Sequence, residues 1–337
     1  MPDVHDLLEP VLELHDTIRQ AVIDATEQDP GHVLARVSRE EAADTIYAID
    51  VVAEKVLDTF ATSLSESHSF VLIAEGLPGG KQVWPAGTAD ADAAWRVIVD
   101  PIDGTRGLMY QKRSGWVLSA IAPNRGDATS LQDVTLAVQT EIPLRKQHLS
   151  DQLIATKGQG VIAHRNDRLT GERRELTVGP SVATTIEHGY ATVVRFFPGG
   201  REELAAVDEE VVLAALGPGE PGKALCFEDQ YASTGGQLYE LLSGHDRFIA
   251  DLRPLVRASG QQSRPTDRRS LCCHPYDICT LLLATEGGVI ITDPAGRPLD
   301  VPLDVTTDVA WIGYANAHIR EQIEPLLQQA LRARGWI

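Results

Sequence analysis

The chain has 337 residues, and its 48 acidic against 30 basic side chains give a formal net charge of −18 at pH 7. With 43% hydrophobic and 23% charged residues, the composition argues against a largely disordered chain and allows a sizeable core. The acidic excess argues against binding to nucleic-acid polymers or to anionic membranes, because both need a basic face. A small phosphorylated substrate stays compatible with it, since a bound cation can reverse the local field.

The targeting and cysteine patterns indicate a cytoplasmic protein. The first ten residues, MPDVHDLLEP, lack the basic and apolar regions of a secretory signal, and no apolar run is long enough to span a membrane. Four cysteines are too few and too unevenly spaced for a disulfide framework. The cluster of Cys272, Cys273 and Cys279 lacks the spacing of a zinc site, so we expect small buried or loop residues there.

The first half of the chain begins with helical patterns and continues with strands. Apolar side chains at helical spacing predict one helix over residues 4–27 and a second over 44–64. Short apolar runs predict strands at 70–74, 95–99, 116–122 and 134–138 and a hairpin within 152–163. The first two of these strands each end in a carboxylate, Glu75 and Asp100.

The second half of the chain alternates between helix and strand. A polar, weakly patterned stretch precedes it, and we place a boundary near residue 180, giving halves of 1–180 and 181–337. Helices are expected at 231–242 and 277–285, and strands at 247–252 and 289–292. The Pro- and Arg-rich segment Arg253–Arg269 interrupts this alternation and is expected to be an exposed loop, with its role left open.

The most informative motif is D-P-I-D-G-T, which follows the second predicted strand. Its proline and glycine favour a tight turn. Asp100 and Asp103 are therefore expected to point into the same small space, with the Ile102 carbonyl between them. Together with the Thr105 hydroxyl, these groups form an all-oxygen donor set that suits Mg²⁺ and does not suit zinc.

Other carboxylates in similar positions strengthen this interpretation, because an isolated D-x-x-D is usually a solvated turn. Glu75 ends an apolar strand in the same way as Asp100. Asp277 immediately precedes the apolar run 278–284, where it reads equally well as the N-cap of a helix. These carboxylates are candidates for one metal site.

Three segments, His68–Glu75, Asp100–Thr105 and Tyr276–Asp293, resemble the inositol monophosphatase family in their order and spacing. The weaker matches Ile49–Glu54 and Ala155–Gly160 agree with this. The family belongs to the Mg²⁺-dependent, lithium-sensitive phosphatases that include fructose-1,6-bisphosphatase. The resemblance covers most of the chain and implies an α/β fold, namely an alternating αβαβα layered sandwich.

The resemblance also implies two metal sites and a proton acceptor. The groups around a first Mg²⁺ would be Glu75, Asp100, the Ile102 carbonyl and Thr105. Those around a second would be Asp100, Asp103 and Asp277. Asp50 resembles the aspartate that hydrogen-bonds the motif threonine and helps to take a proton from the attacking water, which makes Asp50, Glu75 and Thr105 the expected catalytic residues.

The substrate-binding candidates are Gly104, Thr105, Arg106, Ser233 and Thr234. The backbone N–H groups of Gly104 and Thr105 could hold a phosphate oxygen if a helix begins there. Arg106 either contacts phosphate or is an exposed turn residue. Ser233 and Thr234 match the small-residue helix start beside the family's substrate, and they read equally well as an ordinary helix cap.

Three departures from the family pattern bear on the substrate. Gly76 replaces the second glutamate of an E-E pair, which favours two tightly held Mg²⁺ ions and leaves only a weak third site open. Tyr276 replaces a tryptophan, and Ser270 replaces a glutamate that contacts an inositol hydroxyl. The inositol pocket is therefore expected to be rebuilt, with Arg253–Arg269 as a candidate lid.

The resemblance implies a phosphatase that hydrolyses a small inositol, cyclitol or sugar phosphate by two-metal activation of water. One alternative is a phosphatase for 3′-phosphoadenosine-5′-phosphate or fructose 1,6-bisphosphate, since these share the metal motif. Another is a metal-binding relative with weakened catalysis. The family commonly forms homodimers, but the sequence shows no interface.

Overall fold

The computed structural model describes residues 3–28, 36–40, 45–258 and 270–337. Its helices, in chain order, are α1 Leu8–Gln28, α2 Ala48–Leu64, α3 Thr105–Met109, α4 Arg201–Leu216, α5 Thr234–Leu242, α6 Arg253–Ala258, α7 Leu281–Glu286 and α8 Ala317–Ala333. Its strands are β1 Val37–Glu40, β2 Thr45–Tyr47, β3 Phe70–Ala74, β4 Lys81–Trp84, β5 Trp95–Asp103, β6 Gly115–Pro123, β7 Leu136–Ile142, β8 Leu149–Thr156, β9 Val161–Asp167, β10 Arg173–Glu175, β11 Tyr190–Val193, β12 Asp246–Asp251, β13 Ile290–Thr292 and β14 Trp311–Tyr314.

The larger sheet contains eight strands in the order β10-β9-β8-β7-β6-β5-β3-β4. Its neighbouring strands run antiparallel, except β3 and β5, which run parallel. Successive residues of a strand point to opposite faces. Along β5, Val97 and Val99 pack in a core with α1 and α2, whereas Ile98 packs in a second core with α5 and α7. Both faces of this sheet are therefore covered by helices.

The smaller sheet contains four strands in the order β11-β12-β14-β13, and a separate pair is formed by β1 and β2. Along β12, Ile249 faces the core shared with α5 and α7, whereas Phe248 and Ala250 face a third core with α4 and α8. The layers thus run α1/α2, larger sheet, α5/α7, smaller sheet, α4/α8. This arrangement confirms the expected layered α/β fold, the αβαβα sandwich.

The two sheets share the middle helical layer. α5 contacts β6 of the larger sheet and β12 of the smaller one, and α7 contacts β7, β8 and β13. The expected boundary near residue 180 falls between β10 and β11, which belong to different sheets. The division into residues 1–180 and 181–337 stays a prediction.

Several helix boundaries differ from the sequence expectations. The first expected helix opens with a 3-10 turn over Val4–Leu7, and the helix expected from residue 231 begins at Thr234. The second helix begins at Ala48 rather than at residue 44, which lies outside the described residues, because Thr45–Tyr47 pair with β1 as β2. The helix expected from Asp277 begins at Leu281, with Thr280 as its N-cap. The residues between Pro275 and Thr280 form turns instead.

The described part of the segment Arg253–Arg269, residues 253–258, is a helix and not the exposed loop that its composition indicates. Arg253 opens α6, and its side chain is only 2% exposed. The guanidinium donates to both carboxylate oxygens of Asp251 and to the Leu271 carbonyl oxygen, so its charge is paired inside the fold. Residues 259–269, and with them most of the candidate lid, lie outside the described residues.

All four cysteines are free thiols, and three of them, Cys272, Cys273 and Cys279, are buried. Their burial agrees with the expectation that they are small core or loop residues. Among the residues that the structure describes, no helix combines the length and the apolar composition needed to cross a bilayer.

Candidate active site

The D-P-I-D-G-T motif occupies the end of β5, which extends through Asp103. The pairing of β5 with β6 shifts register between Asp100 and Asp103, and such an irregularity changes the direction in which side chains point. Both carboxylates are buried, with 7% and 5% exposure. Asp100 Oδ1 accepts a hydrogen bond of 3.0 Å from the amide of Ile102, which fixes the turn between them.

Gly104 allows the turn to pass close to α5. Its φ of +85° lies in the left-handed region that favours glycine, and a Cβ at this position would lie 3.0 Å from Ser233 Cβ. α3 begins at the next residue, Thr105, so the helix start expected beside the motif is present. Arg106 lies in the first turn of this helix.

Two more carboxylates approach the motif from other parts of the chain. Glu75 directly follows β3, and because β3 and β5 run parallel, their carboxyl ends meet at one edge of the sheet. Asp277 caps no helix; its Oδ2 accepts a hydrogen bond of 2.6 Å from the amide of His274. Asp100, Asp103 and Asp277 each offer one oxygen, and these oxygens lie within 4.8 Å of one another.

The N-terminus of α5 holds the carboxylate of Asp103. Ser233 is the N-cap, and its Oγ accepts a hydrogen bond of 2.9 Å from the amide of Gly236. The same hydroxyl donates to Asp103 Oδ2 at 2.7 Å, and the amide of Gly235 donates to that oxygen at 2.6 Å. Ser233 is thus both a helix cap and a contact of the carboxylate cluster. Thr234, the first residue of the helix, lines the cavity beside it.

The hydroxyl of Thr105 lies between two acceptors. Its Oγ1 is 3.0 Å from Asp50 Oδ1 and 2.8 Å from the carbonyl oxygen of Ile102. One proton can serve only one of these acceptors at a time, so the second lone-pair position of the hydroxyl is available to a further donor. Asp50 Oδ2 accepts a hydrogen bond from the amide of Tyr47 at the start of α2, which orients the carboxylate.

Burial and mutual repulsion disfavour the charged forms of these carboxyls. Burial raises the pKa of Asp100 well above its usual range, and the carboxylates of Asp103, Asp277 and Glu75 raise it further. Burial followed by the charge of Asp277 raises the pKa of Asp103 to about 7, although the hydrogen bonds from α5 act in the opposite direction. The charged forms of these carboxylates would therefore be stabilised by an added positive charge.

The donor set fits a hard divalent cation. Three carboxylates with mutually close oxygens, with Glu75 lining the same cavity, offer oxygen ligands only. The Ile102 carbonyl and the Thr105 hydroxyl lie beside them. A bound cation would remove the repulsion that raises the pKa values of Asp100 and Asp103, because it stabilises their charged forms. Mg²⁺ matches this chemistry.

A cavity adjoins the carboxylates, and many of the side chains that line it come from the second half of the chain. Its lining contains the motif residues together with Glu75 and Asp277. The other lining residues include Arg106, Phe196, Phe197, Arg253, Cys272, Cys273, His274 and Tyr276. The ring of His274 is stacked on that of Tyr276, with 5.6 Å between the ring centroids.

The chain is similar over its whole length to several solved structures. The extragenic suppressor protein suhB from Bartonella henselae shares 17% identity at a TM-score of 0.64, covering 96% of this chain and 99% of that one. An IMPase from Thermotoga maritima shares 14% at 0.61, covering 98% and 100%. A fructose-1,6-bisphosphatase from Leishmania major shares 14% at 0.67, covering 99% and 96%. The chain has the inositol monophosphatase and fructose-1,6-bisphosphatase fold.

No family model and no curated protein matches the chain. Identities of 14% to 17% show that the inositol monophosphatase fold is present and do not transfer an activity. The reaction therefore has to be argued from the site itself.

Within the inositol monophosphatase fold, the structure brings the site residues from the sequence analysis to one cavity. The cavity is lined by Glu75, Asp100, Ile102, Asp103, Gly104, Thr105, Arg106, Ser233, Thr234 and Asp277. Asp50 stands behind them, in contact with Thr105. The sequence did not indicate that Phe196 and Phe197 form a wall of the cavity with Arg253, which was expected only as part of a candidate lid, and it did not indicate His274. Two adjacent phenylalanines before a Pro-Gly-Gly turn were the one local sign of an aromatic surface.

Proposed function

We propose that the chain is a Mg²⁺-dependent phosphatase that hydrolyses a small phosphate monoester. The observation that carries the proposal is the convergence of Asp100, Asp103 and Asp277 beside the Thr105–Asp50 pair. Carboxylates alone suit many cations. Activation of a water also requires a group that can take its proton, and the Thr105 hydroxyl, hydrogen-bonded to the Asp50 carboxylate, is such a group. The fold shared with phosphatases agrees with this activity.

Two Mg²⁺ ions are the proposed cofactor. Glu75, Asp100, Thr105 and the Ile102 carbonyl would hold one, and Asp100, Asp103 and Asp277 would hold the other. When bound, Mg²⁺ lowers the pKa of water and offsets the negative charge of a phosphate group. Because Gly76 offers no carboxylate, we propose that a third ion is at most weakly held.

The chain's own residues position the water and remove its proton. Thr105 Oγ1 accepts a hydrogen bond from the attacking water while donating its own proton to Asp50 Oδ1. The water oxygen forms a bond to phosphorus as the bond from phosphorus to the leaving oxygen breaks. The water's proton passes through Thr105 to Asp50, and the leaving oxygen takes a proton from solvent. Asp50 acts as the general base.

Other groups orient the scissile phosphate. The amides of Gly104 and Thr105 lie at the start of α3 and are proposed to donate to a phosphate oxygen. Ser233 and Thr234, at the start of α5, line the same cavity. Since the Ser233 hydroxyl already donates to Asp103, its proposed contribution to substrate binding is to keep that carboxylate in place.

Replacing the carboxylates by amides tests the proposal. Asp100→Asn and Asp277→Asn each remove a charged ligand while preserving size, so Mg²⁺-dependent phosphate release should fall at least about 100-fold. The measurement is phosphate release from a panel of inositol, sugar and nucleotide monoesters at saturating Mg²⁺, with circular dichroism to check folding. Retained Mg²⁺-dependent turnover in both variants would contradict the proposal.

Asp92→Asn is the matched control, because Asp92 is an exposed aspartate outside the cavity. We expect this variant to retain wild-type turnover and wild-type Mg²⁺ dependence. A loss in the control equal to the loss in Asp100→Asn would show that the effect follows from net charge and not from the site.

A metal-binding protein with weakened catalysis is the second candidate. The observation that favours it is Gly76, which has a φ of +85°, a left-handed backbone in which a glutamate would be strained. The backbone conformation at position 76 therefore disfavours any residue that would supply the missing carboxylate. Mg²⁺ binding by calorimetry without phosphate release from any ester of the panel would favour this candidate over the phosphatase.

A further inference from the structure

A buried glutamine in the larger sheet, Gln139, faces the helices beside the candidate site. It lies in the middle of β7, a strand buried along its whole length, and is only 2% exposed. Gln139 is the cross-strand partner of Leu118 on β6, which is in turn the partner of Asp100 on β5. Cross-strand partners point to the same face of a sheet, so Gln139 lies two strands from Asp100 on the face that packs against α5 and α7.

The side-chain amide of Gln139 joins these two helices. Its Nε2 donates a hydrogen bond of 2.8 Å to the carbonyl oxygen of Gly235 in the first turn of α5. Its Oε1 accepts a hydrogen bond of 2.9 Å from Oγ1 of Thr280, the N-cap of α7. A carbonyl oxygen can only accept, so the amide nitrogen has to face Gly235 and the orientation of the amide is determined. Gln139 therefore bridges the starts of α5 and α7.

One end of this bridge reaches the carboxylate of Asp103. The amide of Gly235 donates to Asp103 Oδ2 at 2.6 Å, while its carbonyl oxygen accepts from Gln139. Gly235 is thus held by β5 on one side and by β7 on the other. A shift of the start of α5 would break one of these two hydrogen bonds or move the carboxylate with it.

The other end of the bridge reaches the segment that carries Asp277. Thr280 follows Asp277 by three positions, and the two residues between them, Ile278 and Cys279, are fully buried. A threonine at an N-cap usually accepts a hydrogen bond from the first turn of its helix, but the side chain of Thr280 makes no such bond. Its hydroxyl donates to Gln139 instead, which ties this segment to β7.

The polar side chain at position 139 restricts how the layers can pack. Burial of an amide is unfavourable unless its polar atoms find partners. The two hydrogen bonds of Gln139 supply these partners, so their net contribution to stability is small, whereas they specify one arrangement of the sheet and the two helices. An apolar side chain would let α5 and α7 shift against β7 without the loss of a partner.

We propose that Gln139 is a positioning residue for the metal site of the proposed function, and that its bridge sets the separation between the carboxylates of Asp103 and Asp277. It acts through Gly235 and Thr280 and is not itself a ligand. The inference rests on that metal site and not on the hydrolysis of an ester.

A site of fixed dimensions discriminates between cations of different size. Mg²⁺ demands near-ideal octahedral geometry at short distances, whereas the larger Ca²⁺ accepts longer and less regular contacts. Loss of the bridge lets Asp103 and Asp277 move relative to each other. It should therefore weaken the binding of Mg²⁺ more than the binding of Ca²⁺.

Calorimetric titration with Mg²⁺ and, separately, with Ca²⁺ tests the proposal without any substrate. Gln139→Leu removes both hydrogen bonds at similar volume, so the Kd for Mg²⁺ should rise about 10- to 100-fold. The Kd for Ca²⁺ should rise by less than about threefold, because its coordination tolerates the change. The ratio of the two constants reports the geometry of the site, since a general loss of folding would affect both ions alike.

Variants of Thr280 test the bridge from its other end. Thr280→Val removes the hydroxyl at similar size and should also raise the Kd for Mg²⁺ more than the Kd for Ca²⁺. Thr280→Ser keeps the hydroxyl and should bind both ions as the wild type does. These two variants decide between the outcomes if Gln139→Leu does not fold.

The double variant Gln139→Leu with Thr280→Val separates positioning from stability. Gln139→Leu alone leaves a buried hydroxyl without its partner, and the second substitution removes that hydroxyl, so the free energy of unfolding should recover. The affinity for Mg²⁺ should not recover, because the bridge is still absent. Urea unfolding of the single and the double variant provides the comparison.

Thr140→Val is the matched control. Thr140 is the next residue of β7 and points to the opposite face, where its Oγ1 lies 2.9 Å from His15 Nδ1 and 3.0 Å from Gln152 Nε2. It is fully buried, as Thr280 is. This variant should lower the free energy of unfolding and leave the ratio of the Mg²⁺ and Ca²⁺ dissociation constants unchanged.

The outcomes separate this proposal from the proposed activity. Equal increases of the two dissociation constants in Gln139→Leu, no increase, or the same change of their ratio in Thr140→Val would overturn the proposal. Recovery of Mg²⁺ affinity together with stability in the double variant would show a structural role only and would overturn it as well. A wild type that binds Mg²⁺ without releasing phosphate contradicts the proposed hydrolysis alone, and a shifted ratio then still supports the bridge. A wild type that binds neither ion overturns the metal site and this proposal together.

Discussion

At the scale of single residues, His15 shows how a buried group outside the candidate site can make the stability of the protein depend on pH. The ring lies between α1 and the larger sheet and is fully buried. Its Nδ1 is 2.9 Å from Thr140 Oγ1, and its Nε2 is 2.8 Å from Ser119 Oγ. Burial, followed by the nearby charge of Arg19, lowers the pKa of His15 to about 3. The folded protein therefore holds this ring neutral.

We expect the stability of the protein to depend on pH through His15. Between pH 6.5 and pH 3 the unfolded chain binds a proton that the folded chain does not, so the free energy of unfolding falls as the pH falls. From pH 7.5 to pH 5 this amounts to about 2 kcal/mol. His15→Gln removes the titrating group and should reduce the decrease by that amount, as measured by urea unfolding at several pH values. His5→Gln, at an exposed histidine, serves as the control, and an unchanged slope in His15→Gln would contradict the expectation.

The contrast between Asp100 and Arg253 shows which residues can be predicted from sequence. Asp100 follows an apolar strand in a recognisable turn, so its local sequence indicates a buried carboxylate. Arg253 lies in a polar, proline-rich segment, and its burial depends on Asp251 and on Leu271, eighteen residues further along the chain. No local sequence pattern indicates the contact with Leu271.

At the scale of elements, the approach of α5 to β5 and β6 determines the geometry of the candidate site. The helix begins against Asp103 because it has glycines where its first turn touches other elements. A Cβ at Gly235 would lie 2.6 Å from Leu118 Cδ2 and 2.9 Å from Asp103 Oδ2. A Cβ at Gly236 would lie 2.3 Å from the ring of Tyr231. Any larger residue must displace either the helix or the carboxylate.

Gly235→Ala should therefore weaken metal binding as well as the fold. The added methyl group displaces Asp103, so the Mg²⁺ concentration for half-maximal phosphate release should rise about 10- to 100-fold. Overpacking should lower the free energy of unfolding by about 1–3 kcal/mol. Gly179→Ala is the control, since no atom lies within 4 Å of a Cβ built there. Unchanged Mg²⁺ dependence in Gly235→Ala would show that the helix moves and the carboxylate does not.

Strands with apolar sequences could be predicted, whereas strands that form only because they pair with a neighbouring strand could not. β3 and β5 are almost entirely buried, and their apolar runs indicated them in the sequence. β10 consists of the three exposed residues Arg173–Glu175 at the edge of the larger sheet. It is a strand because it pairs with β9, and a run of charged residues gives no sign of this pairing.

At the scale of the whole molecule, the candidate site joins elements that contribute to different layers. Glu75 follows β3, and Asp100 and Asp103 lie in the last part of β5, both strands of the larger sheet, whereas Asp277 precedes α7 of the middle layer. The turn in the motif predicts that Asp100 and Asp103 lie together, whereas the approach of Glu75 and Asp277 could be predicted chiefly from the order of motifs in a known family. The wall over the site could not be predicted, since Phe196 and Arg253 reach it through the packing of the smaller sheet.

Mg²⁺ should stabilise the whole protein because it binds only the folded arrangement of carboxylates. At a concentration 100 times its Kd it would add about 2.7 kcal/mol to the free energy of unfolding. Thermal unfolding should therefore occur a few degrees higher with Mg²⁺ than with a chelator. Asp103→Asn should behave differently, because losing one repelling charge raises the stability of the metal-free protein and reduces the increment from Mg²⁺. If Mg²⁺ raised the free energy of unfolding equally in wild type and in Asp103→Asn, this would contradict a metal site at these residues. Asp92→Asn is the control.

The long sequence separation of the carboxylates has a consequence for biosynthesis. Asp277 follows Asp103 by 174 positions, and α5, which holds Asp103, begins 131 positions after it. Domains fold as their residues leave the ribosome, and contacts between distant residues form last. A nascent chain therefore exposes Asp100 and Asp103 well before their third partner has been synthesised. Binding of a cation by all three carboxylates, as proposed above, would therefore have to wait until Asp277 has been synthesised and has folded against them.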